Sequence, residues 1–565
     1  MTAVTGQSKA HPARPWVVLA LICVPVFIGS LDLTIVSAFL PEIIVGLGLP
    51  LQTSLDDSAW IVSGYLLAYA VSMTFMGRIS DLLGRRWVYV ACLLIFIIGS
   101  VLVATAHLGP TDALYTIFRR LGQRPDRESV TLLAIILGRV VQAFGAGALV
   151  PVSLALVGDL FPAARRAQPL GVIGAVDTLG WVLGHLYGGI LVNFFAAHRD
   201  GFRQLLDSLG LSYWPSPDWR TLFWINVPVT LAALALALWA LRRVPMHRAA
   251  GRFDWAGALL ITGALVGLIV GLGANIEVSS TTATFQELTR IPSYAGPVLL
   301  LALALFVGFI WVERRVKNPL IEPTLFRRRN LSAGALVNLC VGFGLMIGLV
   351  SVPILVNIRI EDASKLSQAA LQAGVLLSAL TVPMALAAVP GGWLSDRFGY
   401  QKTTAAGLAL AGLGFALMWQ TWRIDLPDAI IALEMLLVGV GLGLTFSPIS
   451  AAVINSADDD HRGVASALVI ILRLVGMTVA VASLTSLALQ RISQLAATEL
   501  GSAVADPTQF VDEYSRITVQ VLGEMGLLGA AICGLALVPA LLGLRREHPA
   551  PLTQTGEHRA VTPGD

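Results

Sequence analysis

Fourteen apolar runs, each long enough to cross a hydrocarbon layer of about 30 Å, dominate this sequence. They begin near Trp16, Ser58, Trp87, Val130, Leu170 and Trp219; then near Asp254 and Ala295; then near Leu331, Ala369, Thr403, Ala429, Val464 and Ile517. In lipid every backbone N–H and C=O must find its partner within the protein, so runs this long and continuous predict helices rather than barrel strands. Only 13% of the residues are charged, about half the share of roughly 25% usual in soluble domains. A net charge of +3 gives no reason to expect a nucleic-acid partner. Cys23, Cys92, Cys340 and Cys533 each lie in an apolar run without metal-ligand spacing, so neither a disulfide nor a metal site is expected.

The runs group as six, two and six. The expected organisation is a polar N-terminus at 1–15, a six-helix bundle at 16–241, a linker with two extra spans at 242–330, a second six-helix bundle at 331–544 and a disordered tail at 545–565. The first run carries Asp32 and has no small-residue cleavage site, so it reads as a retained helix rather than a signal peptide. An even number of spans puts both termini on one side. Assigning that side to the cytoplasm gathers Arg78, Arg85, Arg86, Arg165, Arg166, Arg242, Arg314, Arg315, Arg327, Arg328 and Arg397 there, as the positive-inside rule requires. Three loops on the other side, near 107–130, 196–218 and 490–516, exceed a simple turn, and the last reads as helical.

A short repeat marks the two bundles. Gly77, Asp81 and Gly84 in GRISDLLGRR recur at the same spacing as Gly392, Asp396 and Gly399 in GGWLSDRFGYQK. Each segment joins the second and third helices of its half. Duplicated bundles with a cavity between them are a recurrent transporter architecture.

Nearly the whole chain, about 16–544, resembles the major facilitator superfamily, and within it the fourteen-helix drug:proton antiporter group. GRISDLLGRR matches the superfamily's loop between helices two and three. LDLTIVSAFLP (with Asp32), LGRVVQAFGAGALVP (with Arg139), WRTLFWINVP and RGVASALVIILRLVGMTVAVA (with Arg473) match group signatures in order. Three departures stand out: His185 in GHLYGG where proline is usual, Ala143 where glycine is usual, and Tyr400 and Gln401 where the second loop copy normally has arginines. The helix-five segment LGHLYG, the extension after Leu489 and VLGEMG with Glu524 are also similar to mycobacterial exporters of triacylglycerides.

Asp32 falls about sixteen residues into an apolar run, and a carboxylate near mid-bilayer costs on the order of 3 kcal/mol on insertion scales. Facing a wet cavity, pairing with a cation or protonating would each reduce that cost. Arg139 and Arg473, one in each half, need acceptors because guanidinium does not deprotonate. Asp32, Asp177 and Glu524 are the candidates, and at least one pair between the halves is expected. The resemblance favours proton coupling through these groups; the alternative is a static fastener. His185 is a candidate proton acceptor or a local hydrogen-bonding residue. Glu524 is a coupling site or a solvated helix-end carboxylate. Gly77, Asp81, Gly84, Arg85 and Arg86, with Gly392, Asp396 and Gly399, read as a cytoplasmic latch in which Asp81 caps a neighbouring helix or binds an arginine.

The resemblance implies a proton-coupled antiporter in the plasma (inner) membrane, monomeric and without cofactor, exporting hydrophobic or amphipathic molecules by alternating access. Its cargo is a drug-like compound or a lipid, and an extracytoplasmic lipid carrier is a candidate partner. A receptor or scaffold that keeps the fold without transport is the rival of another class. No clustered nucleophile or metal set supports an enzyme, and no Walker loop supports ATP as the energy source.

Overall fold

The structure is a computed structural model that describes residues 15–49, 57–208, 210, 216–242, 244, 248–272, 294–359, 366–499 and 507–545. Among the described residues, fourteen helices are long and apolar enough to cross a membrane. In chain order they are α1 (Pro15–Ile35), α2 (Trp60–Leu83), α3 (Arg85–Ala104), α4 (Arg127–Leu160), α5 (Ala167–Ala197), α6 (Trp219–Leu241), α7 (Trp255–Leu272), α8 (Ala295–Glu313), α9 (Arg329–Ile358), α10 (Leu366–Phe398), α11 (Tyr400–Thr421), α12 (Asp428–Ser456), α13 (Arg462–Glu499) and α14 (Pro507–Gly543).

The packing partners repeat between the halves. In the first, α1 packs on α5 and α6, while α4 packs on α2 and α3; in the second, α9 packs on α13 and α14, while α12 packs on α10 and α11. Such helices meet in lipid through close van der Waals contact, which small residues permit. Gly145 lies against the backbone of Cys92 and Phe96, and Gly439 against that of Leu380. The turns between α2 and α3 and between α10 and α11 use Gly84 (φ 95°) and Gly399 (φ 93°), a backbone region that L side chains rarely adopt.

The linker helices α7 and α8 pack on each other, and α7 also lies against α2 and α13. Two shorter helices, Gly109–Arg120 and Arg199–Ser208, occupy two of the three long loops expected from the sequence. In the third, α13 continues to Glu499 and α14 begins at Pro507. At roughly 1.5 Å of rise per residue, the 38 residues of α13 span on the order of 57 Å, well beyond a hydrocarbon core of about 30 Å. Ion pairs tie this projecting part to α14: Arg491 to Glu524 at 2.8 Å and Arg516 to Glu499 at 2.6 Å.

The start of α1 and the end of α14 share one face of the molecule, called here the terminal face. There the ring of Trp16 meets that of Phe161, which follows α4, at 5.3 Å, and Asn330 at the start of α9 donates to the Arg545 carbonyl at 2.9 Å.

Candidate functional site

Asp32 and Arg139 meet inside the first bundle, on α1 and α4. Arg139 Nη1 lies 2.5 Å from Asp32 Oδ2, and both side chains are fully buried. The rest of the acid is also satisfied. Gln142 Nε2 donates to Asp32 Oδ1 at 3.1 Å, Asn226 Nδ2 donates to the same oxygen at 2.7 Å, and Arg139 Nη2 donates to the Asp32 carbonyl at 3.1 Å. Gln142 also accepts from Arg139 at 2.8 Å and donates to Ser100 at 2.9 Å. The guanidinium stacks 3.8 Å from the Tyr65 ring centroid. Of the ways to reduce the cost of a membrane carboxylate, the structure uses pairing with a cation, supported by neutral amides that take up the remaining lone pairs. The amides come from α4 and α6. Gln142 and Asn226 fall within two motifs already visible in the sequence, LGRVVQAFGAGALVP and WRTLFWINVP, whereas nothing in the sequence marked Ser100.

Asp177 and Arg473 form the second pair, and it bridges the halves. Arg473 Nη2 on α13 stands 3.6 Å from Asp177 Oδ2 on α5. That is an ion-pair distance but too long for a hydrogen bond. Ser30 of α1 donates to Asp177 Oδ1 at 2.6 Å, and the Arg473 guanidinium sits 4.7 Å from the Phe446 ring centroid. Both charged residues line a cleft of about 720 Å³ between the bundles. Its other walls are largely apolar and polarisable, with Leu33, Met73, Trp181, Leu345, Met384 and Met477 among them. Tyr69, also on the wall, stacks on Tyr65, which in turn covers Arg139. The enclosed pair around Asp32 therefore lies one side-chain layer behind the cleft surface.

The terminal face holds the two bundles together. Both carboxylate oxygens of Asp81, at the end of α2, accept from the backbone N–H of Gly463 at 3.0 Å, in the first turn of α13. A carboxylate at a helix N-terminus meets orphan N–H groups and the positive end of the dipole. Arg85 holds Asp81 at 3.2 Å and also pairs with Asp159, which Arg462 of the other half reaches at 3.2 Å. Gly77 and Gly463 pack backbone to backbone: a side chain on either would run into the other's carbonyl. The cation–π partner of Arg86 is Trp87, and Arg86 makes no latch contact among the described residues.

The second half repeats this device. Asp396 Oδ2 accepts from the backbone N–H of Gln168 at 3.4 Å, at the start of α5, and Gly392 lies against the Ala167–Gln168 backbone. Arg166 Nη1 donates to Asn455 at 2.7 Å, and Asn455 donates to the Ala163 carbonyl at 3.0 Å. Tyr400, one of the two departures in this loop, receives a hydrogen bond from the same Asn455 at 2.7 Å. A tyrosine thus joins the cross-half network where an arginine is usual.

Contacts between the bundles concentrate toward this face. Gly171 and Gly174 in the first half of α5 pack on Ala388, Ser447 and Phe446 of the second bundle; further along, Gly180, Gly184 and Gly188 pack on α1 of their own bundle. The halves are clamped at the terminal face and part toward the opposite one, with the cleft between.

Two other sequence candidates lie elsewhere. Glu524, midway along α14, pairs with Arg491 in the last third of α13, so it is not the acceptor for either intramembrane arginine in this structure. His185 lies in α5, but its side chain is outside the described residues.

Comparison with known proteins agrees with this architecture. The Major Facilitator Superfamily family description matches residues 22–360 and 351–563. The triacylglyceride transporter of Mycolicibacterium smegmatis is 30% identical over 569 residues, covering 96% of this chain and 90% of that protein. The triacylglyceride transporter of Mycobacterium tuberculosis is 30% identical over 544 residues, covering 93% of each. Among solved structures, the human organic anion transporter MFSD10 aligns with a TM-score of 0.54 at 15% identity, over 92% of this chain and 99% of that one. The proton:xylose symporter XylE aligns with a TM-score of 0.53 at 14% identity, over 92% of this chain and 94% of that one. Fourteen membrane helices in a paired-bundle fold, a clamp repeated in each half and a family match spanning the chain identify a membrane transporter, not an enzyme, and the chain belongs to the major facilitator superfamily.

Proposed function

We propose that this transporter exports lipidic molecules of the acylglycerol class by proton-coupled alternating access. The observation that carries the reading is the cleft: it lies between the bundles, its wall is apolar and methionine-rich, and its one charged pair spans the two halves. Such a wall favours long flexible apolar cargo, since methionine and leucine adapt to irregular shapes. The charged groups among the described residues of its wall are Asp177 and Arg473. Relatives named as triacylglyceride transporters support the same cargo class.

In this reading the terminal face is cytoplasmic, so the clamped state is the outward-facing one. Asp32 and Arg139 are the coupling pair. Protonation of Asp32 would release Arg139, Gln142 and Asn226 to rearrange, and Tyr65 and Tyr69 would carry that change to the cleft. Asp177 and Arg473 would separate as the halves rock. The projecting ends of α13 and α14 offer a surface for an extracytoplasmic lipid carrier. Asp81 and Asp396 latch the closed end, and cargo and proton bias opposite states.

Reconstituted vesicles loaded with a fluorescent triacylglycerol test the cargo. Transfer to acceptor vesicles should be faster than from protein-free vesicles. A rate equal to the protein-free one, with a cationic dye carried instead, would reject the lipid reading.

A further inference from the structure

Two acids of the linker meet away from solvent at the terminal face. Asp254 immediately precedes α7 and is 8% exposed; Glu313 ends α8 and is 3% exposed. They converge on Gly257 in the first turn of α7: a Cβ there would collide with Asp254 Oδ2 and Glu313 Oε1 alike, so these two oxygens are close neighbours. The backbone satisfies the other positions. Asp254 Oδ1 accepts from the N–H groups of Ala256 (3.1 Å) and Gly257 (3.0 Å), Glu313 Oε1 from that of Leu320 (3.2 Å) and Glu313 Oε2 from that of Ile321 (3.3 Å). Asp254 Oδ2 is buried and has no hydrogen-bond partner among the described residues.

Two adjacent carboxylates shut away from water resist ionising together, because each anion raises the cost of the other. The cation facing them is Arg78 of α2. Its guanidinium lies beside Gly251 and its charge reaches Glu313, but it donates to the Asp460 carbonyl at 3.0 Å, and among the described residues no cation stands within ion-pair distance of either acid. Arg248 and Arg252 before α7, and Arg314, Arg315 and Lys317 after α8, are exposed. Toward α13, His461 faces Glu322 at 3.6 Å, and Asp81 turns its carboxylate to Gly463 and Arg85. One arginine offsets one carboxylate, which leaves the other to be neutralised by a proton.

We propose that Asp254 and Glu313 form a second proton-binding site, separate from Asp32, in which one shared proton fastens the linker to the latch. A hydrogen on Asp254 Oδ2 donates to Glu313 Oε1 and gives the orphaned oxygen its missing bond. Through it the first turn of α7 is tied to the end of α8 and to the Leu320–Ile321 segment. The strap before α7 touches the latch directly, since the N–H of Ala249 donates to the Asp81 carbonyl at 2.8 Å. The folded linker holds this proton more tightly than separated carboxyls would, so the fastened state is favoured at low pH and is lost as pH rises. Loss of the proton leaves two anions that repel and free the strap from Asp81. The compartment whose pH is read, the cytoplasm, rests on the orientation proposed above; the site itself does not.

The test uses the full chain in nanodiscs, where both faces meet the buffer and orientation does not matter. Infrared difference spectra compare wild type with Asp254→Asn and Glu313→Gln over a pH series. Either amide can donate the bond in the proton's place, so both variants should fold. Wild type should show the C=O band of one protonated carboxyl that shifts in D2O, fades as pH rises and is missing from both variants. Spin labels on cysteines introduced at Ala250 in the strap and Leu83 at the end of α2, both exposed, should move apart as pH rises in wild type and keep a fixed separation in the variants. A band that survives in either folded variant overturns the shared proton. A wild-type label separation that ignores pH, which needs no variant to measure, overturns the fastening. Neither readout involves lipid transfer, so failure here leaves the cargo reading standing.

Discussion

Asp32 and Arg139 stand 107 positions apart on α1 and α4, yet their side chains meet at 2.5 Å with no solvent contact to either. The pair is enclosed by Gln142, Asn226 and Tyr65, so each charge depends on the other. Removing one partner of a buried pair typically costs about 3–5 kcal/mol, because the other is left uncompensated. Asp32→Ala should therefore lower the melting temperature strongly. Arg139→Lys should fail as well, since an ammonium cannot make the forked contact to the Asp32 carboxylate and carbonyl. Unchanged melting in Asp32→Ala would mean that the pair does not matter to the folded state.

Asp177 and Arg473 make a contrasting case. Their 3.6 Å separation and their place on the cleft wall let water share the charges. Asp177→Asn should destabilise less than Asp32→Asn, because neither member of its pair is fully enclosed and the two are not in hydrogen-bond contact. Its transport defect should nevertheless be large, because the pair joins the halves. Thermal shift and lipid transfer measured on the same preparations check both parts; equal destabilisation by the two variants would contradict the ranking.

Gly463→Ala tests the latch. A methyl there would strike the Gly77 carbonyl and the Asp81 carboxylate. The clamped state should lose population to the state open at the terminal face. Spin labels on α2 and α13 near that face should report a longer distance in the variant. A shift of about 1.4 kcal/mol would already change the population ratio tenfold. An unchanged distance distribution would remove Gly463 from the latch.

Asp396 and Asp81 occupy equivalent places, each on the N-terminus of a helix in the other half. Asp81→Asn and Asp396→Asn should both weaken the clamp. Asp81→Asn should have the larger effect, because the Gly463 N–H reaches Asp81 at 3.0 Å whereas the Gln168 N–H reaches Asp396 at 3.4 Å. Spin-label distances across each seam would measure the difference, and a larger effect from Asp396→Asn would reverse the assignment.

Outside the membrane spans, the Asp458 carboxylate accepts from Arg328 through both oxygens. Hydrogen bonds from Arg328 hold its carboxyl below the ordinary aspartate value of 3.8. A depressed folded-state pKa means that the contribution is fully present above the unfolded value and is lost as pH falls through the lowered one. The difference in melting between wild type and Arg328→Ala should therefore narrow toward strongly acid pH, leaving the pH-independent loss of the hydrogen bond from Arg328 to the Ser456 carbonyl. A difference that grows on acidification would have the wrong sign.

Much of this was legible in the sequence because lipid imposes simple rules. Span lengths placed the fourteen helices, and the spacing of Gly77, Asp81 and Gly84 against Gly392, Asp396 and Gly399 placed the two equivalent turns. Asp32, Arg139, Asp177 and Arg473 stood out because ionisable groups are rare in such runs. Their pairing was not legible, since it depends on which helix faces which. The acceptors on offer for the arginines included Glu524, which instead binds Arg491. Gly463, Asp159 and Asn455 were equally hidden: a helix-terminal N–H or a loop amide becomes a partner only once the other half is in place. Tyr400 shows the same point from the other side, as an apparent departure that contributes its own hydroxyl to the cross-half network.

The central claim is that a proton gradient drives lipidic cargo through the cleft. The most direct measurement is transfer of fluorescent triacylglycerol from reconstituted vesicles under an imposed pH gradient, with and without a protonophore. The account predicts transfer that rises with the gradient and collapses when the protonophore is added. Protein-dependent transfer at the same rate with no gradient, and unaffected by the protonophore, would contradict it.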